Sequence, residues 1–67
     1  MKKIQNRSDY IMLLDAVKST EAGDIVKGLH YNLALILFGF EVRTETREDA
    51  VRVGKQLLRE YEKEHYK

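Results

Sequence analysis

The sequence predicts a mainly α-helical protein with three helices and a short extended segment before the last one. Three apolar patterns have the i, i+3, i+4, i+7 spacing of a helical face, and a residue suited to capping precedes each of them. Proline, which interrupts helices, is absent. The predicted helices span about residues 9–21, 24–38 and 47–64, and the extended segment spans about 40–45. We interpret residues 1–67 as one small domain.

The first helix is predicted from its cap and its apolar face. Ser8 can accept a hydrogen bond from the free amides of the first turn, and Asp9 favours the positive end of the helix dipole. The apolar face consists of Tyr10, Leu13, Leu14 and Val17. Gly23 is expected to end this helix in the left-handed conformation, and Asp24 is expected to cap the second helix.

The second helix is predicted to be apolar on both sides. Its first stripe consists of Ile25, Leu29, Leu33, Ile36 and Leu37. A second stripe, pointing roughly the other way, consists of Tyr31, Ala34, Leu35 and Phe38. Gly28 weakens the prediction, because glycine costs about 1 kcal/mol relative to alanine inside a helix. A short apolar run also fits a strand, so an α+β fold with a β-hairpin over 25–44 is the alternative.

After the second helix the pattern changes to a two-residue repeat. Phe40, Val42 and Thr44 alternate with charged residues, as in a half-buried strand. Thr46 and Asp49 then form a pair resembling a capping box, which predicts the start of the third helix. The apolar face of that helix consists of Ala50, Val53, Leu57, Leu58 and Tyr61. Gly54 interrupts this face, which predicts that another element crosses close to the helix backbone there.

Composition and motifs exclude several classes of function. Twelve basic and 11 acidic residues give a net charge of +1, so no overall field attracts nucleic acid or an anionic membrane. The longest apolar run is too short to span a bilayer, and no apolar region follows the N-terminal lysines as in a secretory signal. The absence of cysteine fits a cytoplasmic protein. His30 and His65 belong to no recognisable catalytic motif, so we predict no enzyme activity, no metal site and no cofactor.

The second stripe of the middle helix is the main functional signal in the sequence. A chain this small buries only about 60% of its unfolded surface and has no disulfide, so we expect association to contribute to its stability. The predicted interface consists of Tyr31, Ala34, Leu35, Phe38, Phe40 and Val42. We expect a homodimer, or a complex with another protein, in a regulatory or inhibitory role. In the alternative, the N-terminal residues and the extended segment cover the stripe within one chain.

A basic stripe on the third helix supports a second functional hypothesis. Its four cations, which lie within about 80 degrees of the helix circumference, are Arg52, Lys55, Arg59 and Lys63. Such a stripe can bind phosphates or an acidic protein surface, so a small dimeric nucleic-acid-binding protein is the alternative function. A solvated face is the simpler interpretation, because carboxylates are interspersed with these cations. A helix-turn-helix is disfavoured, because the second helix would present mostly apolar residues to the DNA groove.

Overall fold

A computed structural model describes residues 2–23 and 29–66 and shows three α-helices. They are α1 (Arg7–Glu21), α2 (Leu29–Gly39) and α3 (Arg47–His65), and each packs against both of the others. Neither described range contains a strand, so the mainly α prediction is confirmed. The α+β alternative is wrong, because α2 occupies positions that the hairpin required. The predicted start of the second helix, with Asp24, Ile25 and Gly28, lies outside the described residues.

One apolar core joins the three helices with the segments that flank them. Its buried members are Ile4, Leu13, Ala16, Val17, Leu33, Leu37, Phe40, Ala50, Leu57, Leu58 and Tyr61. The apolar faces predicted for the first and third helices both contribute to it, which fits the burial of one stripe per amphipathic helix. On α2 the buried residues come from the first predicted stripe, so this stripe orients the helix toward its neighbours.

The crossing of α1 and α3 is close at Gly54, as the sequence predicts. A Cβ atom placed on Gly54 would lie 2.6 Å from the Cγ2 atom of Val17 in α1. Carbon atoms pack best at separations of about 3.5–4.0 Å, so a side chain at this position would overlap with Val17. Glycine therefore sets how closely α1 and α3 approach each other.

Of the two capping residues predicted for α1 and α3, one is confirmed and the other is wrong. Thr46 caps α3, because its hydroxyl accepts a hydrogen bond from the Asp49 amide at 3.1 Å. The predicted Ser8 cap of α1 is wrong, since Ser8 already lies inside the helix. Asn6 is the cap: it has an extended backbone, and its side-chain oxygen accepts from the Asp9 amide at 2.9 Å. The helix thus begins two residues earlier than predicted.

Two residues in the left-handed conformation end the first two helices. Gly23 has a φ of 69° after α1, as predicted. After α2 this position belongs to Glu41, with a φ of 63°. The amides of Glu41 and Val42 donate to the carbonyls of Phe38 and Leu37 at 2.9 and 3.1 Å, the two hydrogen bonds of a Schellman motif. A glutamate pays about 1–2 kcal/mol for a conformation that glycine adopts freely.

The segment that follows α2 keeps the predicted alternation without forming a strand. Phe40 is buried, Val42 and Thr44 are half-buried, and the charged residues between them are exposed. The N-terminal segment lies beside it, because the Lys2 amide donates to the Phe40 carbonyl at 2.9 Å and Ile4 enters the core. The N-terminal segment thus packs at Phe40, at one end of the helical core, and it does not cover Leu35 and Phe38 of the second stripe, which remain exposed.

Candidate protein interface

Four described residues on the side of α2 that points away from the core are exposed. They are Asn32, Leu35, Phe38 and Gly39, which we call the outer face of α2. These residues are spaced three or four positions apart around Leu35, so they share one side of the helix. Leu35 is 52% exposed and Phe38 is 64% exposed. Large apolar side chains that are exposed together mark a candidate binding surface.

The outer face differs in part from the interface predicted from the sequence. Leu35 and Phe38 belong to both, whereas Ala34 is half-buried and the side chain of Tyr31 lies outside the described part of the chain. Phe40 is only 8% exposed and packs in the core together with the half-buried Val42, so neither offers much surface to a partner. Sequence reasoning missed Asn32 and Gly39. Their spacing of three and four positions from Leu35 is the signal that would have found them.

The outer face belongs to the longest stretch of the chain without charge. Residues 28–40 contain no Asp, Glu, Lys or Arg over 13 positions, although 34% of the chain is charged. The cores of protein interfaces are depleted in charged residues in the same way, because a charge is costly to remove from water. The surface around Leu35 and Phe38 can therefore be covered without the burial of an ionised group of its own helix.

The four cations of the basic stripe lie on α3, but two of them are paired with carboxylates. The Arg52 guanidinium is 3.2 Å from the Asp49 carboxylate, and Lys55 forms an ion pair with Glu21 of α1. Arg59 and Lys63 line the same open cleft as Glu60 and Glu62. These neighbouring carboxylates reduce the local positive potential, which weakens the attraction of the stripe for a phosphate backbone.

An aromatic cluster joins the start of α1 to the end of α3. Tyr61 stacks between Tyr10 and His65, with ring centroids 4.7 and 4.2 Å away. The Tyr10 hydroxyl donates a hydrogen bond to the Glu62 carboxylate at 2.6 Å. This hydrogen bond, together with burial and the negative charge of Glu62, raises the pKa of Tyr10 to about 12. These contacts fasten the two helix ends to each other.

The Tyr10 pKa predicts a loss of stability at alkaline pH. The folded-state pKa exceeds the ordinary value of 10.0, so the contribution of the Tyr10 phenol to folding is complete below pH 10. It is lost as the pH rises through about 12, because the phenolate can no longer donate to Glu62. When tyrosinate absorbance is followed as the pH is raised, the wild-type protein should show a step near pH 12 that is absent in Tyr10→Phe. Retention of that step would assign the raised pKa to another tyrosine.

The described residues contain no candidate metal cluster and no candidate membrane-crossing helix. Within 2–23 and 29–66, no three histidine, aspartate or glutamate side chains are grouped so that they could hold a metal ion. The described helices include none with the length and apolar character needed to cross a membrane. The side chain of His30 lies outside the described part, and His65 is exposed in the aromatic cluster.

The apolar outer face of α2 is thus the strongest candidate site in the described chain. No known protein family matches the sequence, and neither a curated protein nor a solved structure matches it.

Proposed function

We propose that this chain is a non-enzymatic protein that forms a homodimer through the outer face of α2 and acts by binding another protein. The observation that carries the proposal is the exposure of Leu35 and Phe38 on a helix with no charged residues. A regulatory or inhibitory role suits a chain of 67 residues, which has little room for a pocket that excludes water. We further propose that it acts in the cytoplasm, because a chain without cysteine forms no disulfide and needs no oxidising compartment.

Symmetry favours a second copy of the chain as the partner at the outer face. A two-fold interface places a surface against itself, so a strongly charged patch would meet a like charge. The outer face has no charged residue and can meet its own copy without repulsion. A standard interface buries about 800 Å² per partner, roughly a sixth of the 4928 Å² surface of this chain. Such burial would add apolar contacts to a protein whose own core is small.

The homodimer can be tested by measuring the mass in solution. Light scattering behind a sizing column, over a hundredfold range of concentration, should give twice the chain mass of 7.9 kDa at low micromolar protein. A mass of one chain throughout the range would contradict the homodimer. The outer face would then be a surface for a different protein, and purification with a partner would be the next experiment.

Leu35→Glu should disrupt the homodimer while leaving the fold intact. A carboxylate at the centre of an apolar interface loses its hydration without gaining a partner, which costs several kcal/mol, so we expect the dissociation constant to rise by about a hundredfold or more. The same residue is half exposed in the single chain, so far-ultraviolet circular dichroism should remain helical. Sedimentation velocity at several concentrations would give the dissociation constant.

Ile11→Glu is the matched control for this substitution. Ile11 is 51% exposed, nearly the same as Leu35, but lies on α1. The control introduces the same charge at an equally exposed apolar position, so it should leave the dimer mass unchanged. Arg59→Glu should also leave it unchanged, because Arg59 lies on α3. Equal disruption by Ile11→Glu would show that added charge, rather than its place on α2, prevents association.

Nucleic-acid binding is the second candidate, and the arrangement of Arg59 and Lys63 is the observation that favours it. Neither has a carboxylate of the described residues within the 4.0 Å of an ion pair, so both could contact phosphates. Fluorescence anisotropy with labelled single-stranded and duplex oligonucleotides at low salt would test this candidate. Binding that weakens steeply with salt, and is lost in Arg59→Glu, would support it. We expect no such binding, because Glu60 and Glu62 lie in the same cleft.

A further inference from the structure

Residues 2–5 form a short irregular segment, which we call the strap, at one end of the helical core. Ile4 is its one buried residue, with 6% of its surface exposed, and the other three residues are exposed. Within the described chain, a single backbone hydrogen bond links the strap to another segment, from the Lys2 amide to the Phe40 carbonyl at 2.9 Å. The strap is therefore held mainly by one apolar side chain.

Two ion pairs add only weakly to this attachment. The Lys2 ammonium lies 3.6 Å from the Glu41 carboxylate, and the Lys3 ammonium lies 3.5 Å from the Glu64 carboxylate. More than half of each of these four side chains is exposed, so water and salt screen both pairs. The attachment of the strap should therefore weaken as the salt concentration rises.

The three helices are held together by a much larger share of the core. Apart from Ile4 and Phe40, all of the described buried apolar residues lie in α1, α2 or α3. Withdrawal of Ile4 from the core would leave these helix contacts in place. A segment with few buried contacts opens at a lower free energy than the elements of the core.

We propose that the strap opens while the three helices remain folded, and that its opening uncovers an apolar site at the end of α2. This inference does not depend on the proposed homodimer. When the strap leaves, the core loses the cover of Ile4, and the Phe40 carbonyl loses its hydrogen-bond donor. The open form then has more exposed apolar surface than the closed form, and ionic strength shifts the balance between the two forms.

Reaction of a single cysteine with iodoacetamide measures the opening, because the chain contains no cysteine of its own. The test variant is Ile4→Cys, and the matched control is Leu58→Cys in α3, where the leucine is 5% exposed. The Ile4→Cys rate should change less than about twofold between 0 and about 1 M urea, because local opening exposes little surface. The Leu58→Cys rate should rise about fivefold, because its thiol reacts after global unfolding. Ala16→Cys, at a position 6% exposed, is a second control if Leu58→Cys does not fold.

Salt tests the contribution of the two ion pairs. Sodium chloride at about 0.5 M should raise the Ile4→Cys rate about twofold over that at low salt, relative to a peptide of residues 1–8 with the same cysteine. Glu41→Gln together with Glu64→Gln should abolish this dependence and leaves both lysines beside the thiol. A salt-independent Ile4→Cys rate would overturn the control by ionic strength. A rate equal to that of the peptide, or one with the urea dependence of the Leu58→Cys control, would overturn the opening itself.

Two substitutions at Ile4 give a second measurement that needs no cysteine. In an open strap residue 4 lies in water, so the urea midpoints of Ile4→Ala and Ile4→Asp should differ by less than about 0.5 M. Leu58→Asp should lower the midpoint far more than Leu58→Ala, because its carboxylate stays in the core. A difference at Ile4 as large as that at Leu58 would show that the strap unfolds only together with the helices, and it would overturn the proposal.

Discussion

Replacing Gly54 with leucine is expected to destabilise the fold by about 3 kcal/mol or more. Even the first carbon of a side chain would lie 2.6 Å from the Cγ2 atom of Val17. Val17 is buried and β-branched, so it has no other rotamer into which it can move easily. The overlap would separate α1 from α3. The total stability of a 67-residue domain is roughly 3–10 kcal/mol, so the variant should be partly or wholly unfolded at room temperature.

Gly54→Ala allows a quantitative test of the same contact. Overlap should cost about 1–3 kcal/mol and better helix propensity should return about 1 kcal/mol, so we expect a net loss of about 1 kcal/mol. In a Val17→Ala background the overlap disappears, and Gly54→Ala should become stabilising. Urea unfolding of the four proteins at one protein concentration would give the coupling energy. A stabilising effect of Gly54→Ala in the wild type would contradict the close crossing of α1 and α3.

The helices were predictable because their capping residues and their apolar spacing indicate the same elements that packing in the core then stabilises. In α3, the Thr46 cap, the apolar spacing and the absence of proline all indicate the same element, and the predicted range of 47–64 differs from the observed helix by one residue. Local rules alone did not determine the start of α1, since Asn6 and Ser8 can both cap a helix. The burial of Ile4 fixes the path of the preceding chain, and residues 2–6 then enter α1 at Asn6.

The orientation of α2 could not be read from its sequence in the same detail. Both of its sides are apolar, so the spacing of apolar residues does not show where the buried face ends and the exposed face begins. Packing against α1 and α3 leaves Ala34 half-buried and exposes Asn32 and Gly39, two residues that a search for apolar stripes passes over. The placement of a helix with two apolar sides depends on its neighbours, and these are known only from the fold.

Phe40 illustrates a turn that sequence reasoning did not anticipate. The left-handed residue that ends a helix is usually glycine, so Gly39 is the residue that the sequence would suggest for the end of α2. That position belongs instead to Glu41, whose amide and that of Val42 close the helix. The turn directs Phe40 into the core, so a residue expected at the interface stabilises the chain itself.

Leu37→Ala is expected to cost about 2–5 kcal/mol of folding free energy, whereas Leu35→Ala should cost less than about 0.5 kcal/mol in the single chain. The two leucines are two positions apart on α2, so they differ by about 200 degrees around the helix. Leu37 is 0% exposed and its truncation leaves a cavity in the core, while Leu35 is 52% exposed and its truncation leaves none. Because the residue type, the helix and the substitution are the same, the difference reports burial alone.

Assembly should respond to this pair in the opposite order. Leu35→Ala removes an apolar side chain from the centre of the outer face and should weaken the dimer, whereas Leu37 has no exposed surface for a partner to contact. Urea unfolding at a protein concentration below the dissociation constant of the dimer would measure the folding free energy of the single chain. Sedimentation velocity at higher concentrations would measure assembly. Similar losses of folding free energy for the two variants would mean that α2 is rotated and that Leu35 belongs to the core. The outer face would then have no apolar centre, and the proposed homodimer would lose its physical basis.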